Sequence, residues 1–110
     1  MYGHLATVTS AEENAALAKI VTNHGGSTWL GGTRSSEDYW TWVWITGEAM
    51  SYTNWDSGEP NNLNGEQCMH MYASSGLWND INYNSSAASA YVCEWDTLQS
   101  YLNYLTSQKN

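Results

Sequence analysis

The chain contains no phenylalanine, one proline, two cysteines and only three basic residues in 110. Without phenylalanine, the seven tryptophans and eight tyrosines must supply much of the core, and their N–H and O–H groups need partners when buried. Two cysteines, Cys68 and Cys93, allow at most one internal bridge, which leaves the redox compartment open. Three Lys and Arg against eleven Asp and Glu give a formal net charge of -8. Nucleic acid is excluded as a partner on that ground, since phosphate binding needs a basic surface, and an anionic membrane is disfavoured for the same reason. No segment is apolar enough to span a bilayer, so no membrane insertion is expected. Met1-Tyr2-Gly3-His4 has neither the basic nor the apolar region of a signal peptide.

What is present suits one compact domain. The acidic surplus suits a hard cation such as calcium if carboxylates converge in space; a solvated acidic surface is the other reading. His4 to Val8 reads as a strand. Ser10 with Glu13 three residues later fits a capping box, and Ala15 to Ile20 favour helix, so a helix is predicted over 10–22, stopped at Gly25-Gly26. Thr28 to Gly32 reads as a buried strand, and 33–38 as a polar loop. Trp40, Trp42 and Trp44 alternate with Thr41, Val43 and Ile45, which predicts a strand with three indoles on one face. That face is either packed or a stacking surface for sugars or bases. Residues 47–64 are rich in Gly, Asn, Ser, Asp and Glu and hold the proline, a long irregular stretch of the kind that is functional or disordered. Strands follow at 67–72 and 90–95, with Leu77-Trp78-Asn79-Asp80 between them. After Asp96, Leu98, Tyr101, Leu102 and Leu105 recur at helical spacing and predict an amphipathic helix over 97–108. Asn84-Ser85-Ser86 is a glycosylation sequon, a triplet that also arises by chance in a Ser/Asn-rich turn.

Several segments in order resemble the C-type lectin domain family. Gly3-His4-Leu5-Ala6-Thr7-Val8 with Ser10-Ala11-Glu12-Glu13-Asn14 is similar to its early strand and second helix, and Trp29-Leu30-Gly31-Gly32 to its core strand. Trp42-Val43-Trp44 with Gly47, Asn54-Trp55, Gly58-Glu59-Pro60-Asn61, Gly65-Glu66-Gln67-Cys68, Trp78-Asn79-Asp80 and Tyr91-Val92-Cys93-Glu94 follow in the family's sequence. The match covers about residues 2–96. It implies an α+β fold with short antiparallel sheets, one or two flanking helices and a long irregular calcium-binding loop region. The implied domain is 1–96, with 97–110 as a C-terminal amphipathic helix or tail.

Glu59, Asn61, Glu66, Asn79 and Asp80 offer only carboxylate and amide oxygens, the donor set calcium prefers; zinc would want His or Cys. That 59–66 and 79–80 meet in space is implied by the resemblance alone. So is a cis bond before Pro60 that turns Glu59 and Asn61 toward the ion, and so is coordination of two neighbouring sugar hydroxyls. The same five residues would then be both metal ligands and carbohydrate-binding residues, in the Glu-Pro-Asn arrangement of members that take mannose, glucose or fucose. The implied protein is a secreted, extracellular sugar-binding module.

The chain departs from the family in places. Arg34 and Gln67 stand where acidic ligands of a second calcium would be, so one ion, Ca2+, is expected. The usual partners of Cys68 and Cys93 are missing, which favours no bridge between them. The family's first strand and first helix would lie before Met1, and 97–108 is a candidate to fill their place. The alternative function is a structural or adhesive domain, with self-assembly or a partner chain completing the sheet. An enzyme, with Glu59 and Asp80 as acid and base on a glycoside, is set aside: a metal-neutralised carboxylate is a poor general acid, and no nucleophile motif occurs. His4 is read as structural, and His70 as a surface or core-edge residue.

Overall fold

A computed structural model describes residues 2–96. Eight elements run along it: β1 (Tyr2–Leu5), α1 (Ala11–His24), β2 (Thr28–Arg34), β3 (Trp42–Trp44), β4 (Cys68–Met71), β5 (Trp78–Ile81), β6 (Ala90–Tyr91) and β7 (Cys93–Asp96). The helix predicted over 97–108, with Leu98, Leu102 and Leu105, lies outside the described residues. No helix among the described residues is long and apolar enough to cross a membrane.

The helix forms where its local signals are. Ser10 is extended and its hydroxyl accepts from Glu13 N–H at 3.1 Å. The second half of a capping box differs, since the Glu13 carboxylate accepts from the Thr9 hydroxyl. Gly25, at φ 91°, turns the chain out of the helix and donates its N–H to Val21. Asn14, Leu17 and Val21 form the buried face.

The strands make an α+β arrangement. β1 and β7 form a two-stranded antiparallel ribbon. The larger sheet has the order β3-β2-β4-β5, all antiparallel, with the short β6 parallel to β2. The 90–95 segment is thus two strands parted at Val92, whose carbonyl accepts from Ala6 N–H. The β2–β4 ladder shifts register between Leu30 and Thr33, across Gly31-Gly32. A Cβ on Gly31 would lie 2.8 Å from the Leu5 carbonyl oxygen, so the glycine is what lets the end of β1 approach β2.

Two readings need correction. β2 runs on to Arg34, which is buried, where a polar loop was expected from residue 33. Trp40 is 71% exposed and precedes β3, so only Trp42 and Trp44 share the buried face. Asp38 explains this: its carboxylate accepts from Trp40 N–H and the Thr41 hydroxyl, making a turn that ends the alternation.

The core centres on Trp78. Its ring meets Trp44, Tyr52 and Trp55 edge-on, with centroids 5.6, 6.0 and 5.7 Å apart, and Trp55 also packs on Trp42 at 5.1 Å. Its indole N–H donates to Asn14 Oδ1 at 2.9 Å, and the Asn14 amide donates to the Gly76 carbonyl at 3.3 Å. Helix and sheet are thereby joined by a satisfied polar contact inside an aromatic core. Asn14→Ala should cost about 1–3 kcal/mol, because it leaves a buried indole N–H without its acceptor. Urea unfolding of the variant against the parent checks this.

Candidate functional site

The long stretch between β3 and β4 is held to the sheet at two places. Midway along it, Trp78 N–H donates to the Asn54 carbonyl and Asp56 N–H donates to the Trp78 carbonyl, at 2.9 and 2.8 Å. Residues 54–56 thus run beside β5 like a fragment of extra strand, with Trp55 bridged to Trp78. A turn follows, in which Glu59 N–H donates to the Asp56 carbonyl at 3.0 Å and Gly58 takes φ 82°. The Glu59–Pro60 bond is cis.

Beyond it, the loop closes on Asp80. Asn61 N–H donates to Asp80 Oδ1 at 3.2 Å and Asn62 N–H donates to Oδ2 at 2.7 Å. The Asp80 carboxylate has no exposed surface. Its third donor is Arg34, whose Nη2 lies 3.3 Å from Oδ2. Arg34 Nε also donates to the Glu66 carbonyl at 2.7 Å, and Nη1 to the Tyr39 carbonyl at 3.3 Å. The Tyr39 hydroxyl donates to Asn62 Oδ1 at 2.6 Å and fixes the loop from outside.

Four of the five candidate residues meet electrostatically or through the main chain. The Glu59 carboxyl is pushed above its ordinary value, first by desolvation and then by the Asp80 charge. The Glu66 carboxyl is pushed up in the same way by desolvation, Asp80 and Glu59, with Arg34 opposing. Asn61 joins them through its N–H, while its side-chain oxygen turns back to accept from Leu63 N–H at 3.1 Å. Asn79, beside Asp80 on β5, faces His70 across the β4–β5 ladder, with Nδ2 3.3 Å from His70 Nε2.

His70, read as a surface or core-edge residue, is buried beside Asn79, which removes the surface alternative, and desolvation holds its pKa below the ordinary histidine value. Arg34, read from the sequence only as standing in for a second calcium's ligand, and Tyr39, not singled out there, brace the loop, while His70 faces Asn79. The signal for Arg34 was its position two residues after Gly32 on an apolar strand; that for His70 was its register opposite Asn79.

The donor set can be tested against a cation. Five buried side-chain atoms lack a hydrogen-bond partner among the described residues: the indole nitrogens of Trp42 and Trp44 and Nδ1 of His70, which lie in or beside the core, and two oxygens, Glu59 Oε1 and Asn79 Oδ1; two carboxyls are also raised in part by like charge. The two oxygens and the raised carboxyls suit a hard, oxygen-seeking cation. Among the described residues, however, no group of three or more His, Cys, Asp or Glu is arranged to close around a metal by itself. Amide or main-chain oxygens would have to complete the shell. Cys68 and Cys93 are free thiols, the first half-buried and the second exposed, so neither contributes a bridge to this region.

Asp80→Ala should destabilise the metal-free protein by about 3–5 kcal/mol, the cost of stranding one partner of a buried ion pair. Chemical denaturation in EDTA measures that loss without any contribution from a metal.

Comparison with known proteins gives a consistent picture. Residues 1–95 match the family described as the lectin C-type domain. The chain is 36% identical over 102 residues to an alpha-N-acetylgalactosamine-specific lectin of Patiria pectinifera, covering 86% of this chain and 59% of that one. It is 35% identical over 97 residues to a C-type lectin mannose-binding isoform of Oxyuranus scutellatus, covering 83% and 60%. The chain therefore spans less than two thirds of these curated relatives. Among solved structures, the EPNH mutant of CEL-I superposes with a TM-score of 0.73 at 29% identity, over 83% of this chain and 66% of that one.

Proposed function

The chain belongs to the C-type lectin domain family, and from that premise we propose that it binds carbohydrate in a calcium-dependent manner through the Glu59–Glu66 loop and β5. The observation that carries the proposal is the pair of buried, donorless oxygens, Glu59 Oε1 beside the Asp80 charge and Asn79 Oδ1 on the residue before it, together with the mutual repulsion of Glu59, Glu66 and Asp80. Glu59, Asn61, Glu66, Asn79 and Asp80 would hold the ion. Calcium, when bound, supplies a centre at which two neighbouring sugar hydroxyls are held.

The chain's own groups would read those hydroxyls. Glu59 and Glu66 accept from them, and the amides of Asn61 and Asn79 donate to them, which makes the hydrogen bonds charge-assisted and directional. The order acidic-Pro-amide at 59–61 favours the hydroxyl pair of mannose, glucose or fucose. A binding module rather than an enzyme is proposed, acting outside the cell. A sugar held mainly through two hydroxyls would bind weakly at a single site, and several copies would be needed for avidity.

A structural or adhesive domain of the same fold is the second reading, and the buried Arg34–Asp80 pair favours it, since Asp80 is already compensated without a metal.

Two experiments separate these readings. Calcium should raise the melting temperature, by an amount corresponding to about 2.7 kcal/mol at a hundred times its dissociation constant, and EDTA should abolish retention on immobilised mannose. Unchanged melting and no sugar binding in saturating calcium would move the structural reading to the front. The double change Glu59→Gln with Asn61→Asp conserves ligand charge but exchanges the positions of acceptor and donor. Inhibition by mannose against galactose should then shift toward galactose, because a polar site rejects ligands that leave its groups unpaired. A double variant that retains the parent's mannose preference would show that positions 59 and 61 do not set selectivity.

A further inference from the structure

Arg34 reaches two of the five proposed ligand residues, the carboxylate of Asp80 and the main chain of Glu66, and ties both to Tyr39. It ends β2 with a side chain only 3% exposed. Its three donor nitrogens reach three separate stretches: Asp80 on β5, the Glu66 carbonyl at the end of the long loop, and the Tyr39 carbonyl in the turn before β3. The guanidinium is also packed against aromatic rings, with Cζ 4.7 Å from the centroids of both Tyr39 and Trp42 and 5.6 Å from that of Trp40. Only a planar, multi-donor cation can make these contacts together; a lysine ammonium is a point charge on a flexible stem.

The two oxygens of Asp80 are used unequally. Oδ2 accepts from both Asn62 N–H and Arg34, whereas Oδ1 accepts one N–H, from Asn61 at the longer distance of 3.2 Å. Oδ1 therefore keeps accepting capacity on a carboxylate whose orientation is already fixed.

We infer that Arg34 is a positioning residue, an internal cation that orders the 59–66 loop and aims Asp80 Oδ1 so that the calcium site exists before calcium arrives. This rests on the calcium-dependent reading above and deepens it by assigning the order of events: the loop is built by the guanidinium, and the metal binds a site already formed. Site order then does not depend on metal occupancy, and the residue that secures it is not one of the five proposed ligands.

The test uses amide hydrogen exchange of the metal-free protein together with calcium titration. In EDTA, the Asn61 and Asn62 amides of the parent should be protected to an extent comparable with the ladder amides of β2 and β4. In Arg34→Met, those two amides should lose protection while the ladder amides keep theirs, and calcium affinity should fall about 10- to 100-fold, as for other supports of metal ligands. In Arg34→Ala, millimolar ethylguanidinium, below denaturing concentrations, should restore both protection and affinity, which a general loss of stability would not allow. Arg34→Lys should restore neither. The inference is overturned if the parent's Asn61 and Asn62 amides exchange freely in EDTA, a measurement that stands even if the variants fail to fold. It is equally overturned if Arg34→Met retains parental protection and affinity. A parent that shows protected amides but binds no calcium would sink the metal reading of the site instead, leaving the ordering by Arg34 intact.

Discussion

A carboxylate with no exposed surface is tolerated only where fixed donors replace the water it has lost. Asp80 obtains them from two main-chain N–H groups and one guanidinium, and those come from parts of the chain that are remote in sequence. The long loop supplies Asn61 and Asn62, the end of β2 supplies Arg34, and β5 carries the acid itself. One buried charge thus requires three stretches to arrive together, and each of them carries something the site uses. Glu59 and Glu66 flank the residues that donate to Asp80. Tyr39 is drawn in by Arg34 and braces Asn62 from the other side.

The loop would not hold this geometry on polar contacts alone, since ordering each residue costs about 1–2 kcal/mol of backbone entropy. The aromatic cluster offsets part of that. Tyr52 and Trp55 leave β3 and pack directly on Trp78, the residue before Asn79 and Asp80. The main chain of Trp78 then pairs with Asn54 and Asp56. Apolar burial and ladder-type hydrogen bonding therefore fix the loop a few residues away from where its carboxylates are needed. Asn14 links the same indole to the helix, so α1 supports the site without touching it.

Electrostatics then separates the residues into two kinds. Asp80 is compensated from within. Glu59 and Glu66 are pushed upward by desolvation and by their acidic neighbours, and Arg34 offsets Glu66 only in part. A chain with a formal charge of -8 has little basic side chain to spare, and the proposed calcium ion would relieve these two carboxyls. The free thiols and the buried His70 stand outside that chemistry, His70 serving as a neighbour to the Asn79 amide.

Much of the fold was legible in the sequence because its signals are local. Ser10 and Gly25 delimit the helix through contacts within a few residues, and Trp42 and Trp44 share a face because strands alternate. The oxygen-only character of Glu59, Asn61, Glu66, Asn79 and Asp80 follows from residue type alone. Local patterns also misled where a nearby group overrode them: Trp40 obeys the period of two in sequence but leaves it in space because Asp38 captures its N–H and makes a turn. The run from Ala90 to Trp95 is continuous as a pattern but is split at Val92, whose carbonyl is taken by Ala6. What only the tertiary structure decided is the pairing of Arg34 with Asp80, 46 residues apart, and the burial of His70 opposite Asn79. No period or cap encodes such contacts. They arise because packing the sheet removes water from these groups, and a desolvated charge must then take whatever partner the fold has brought within reach.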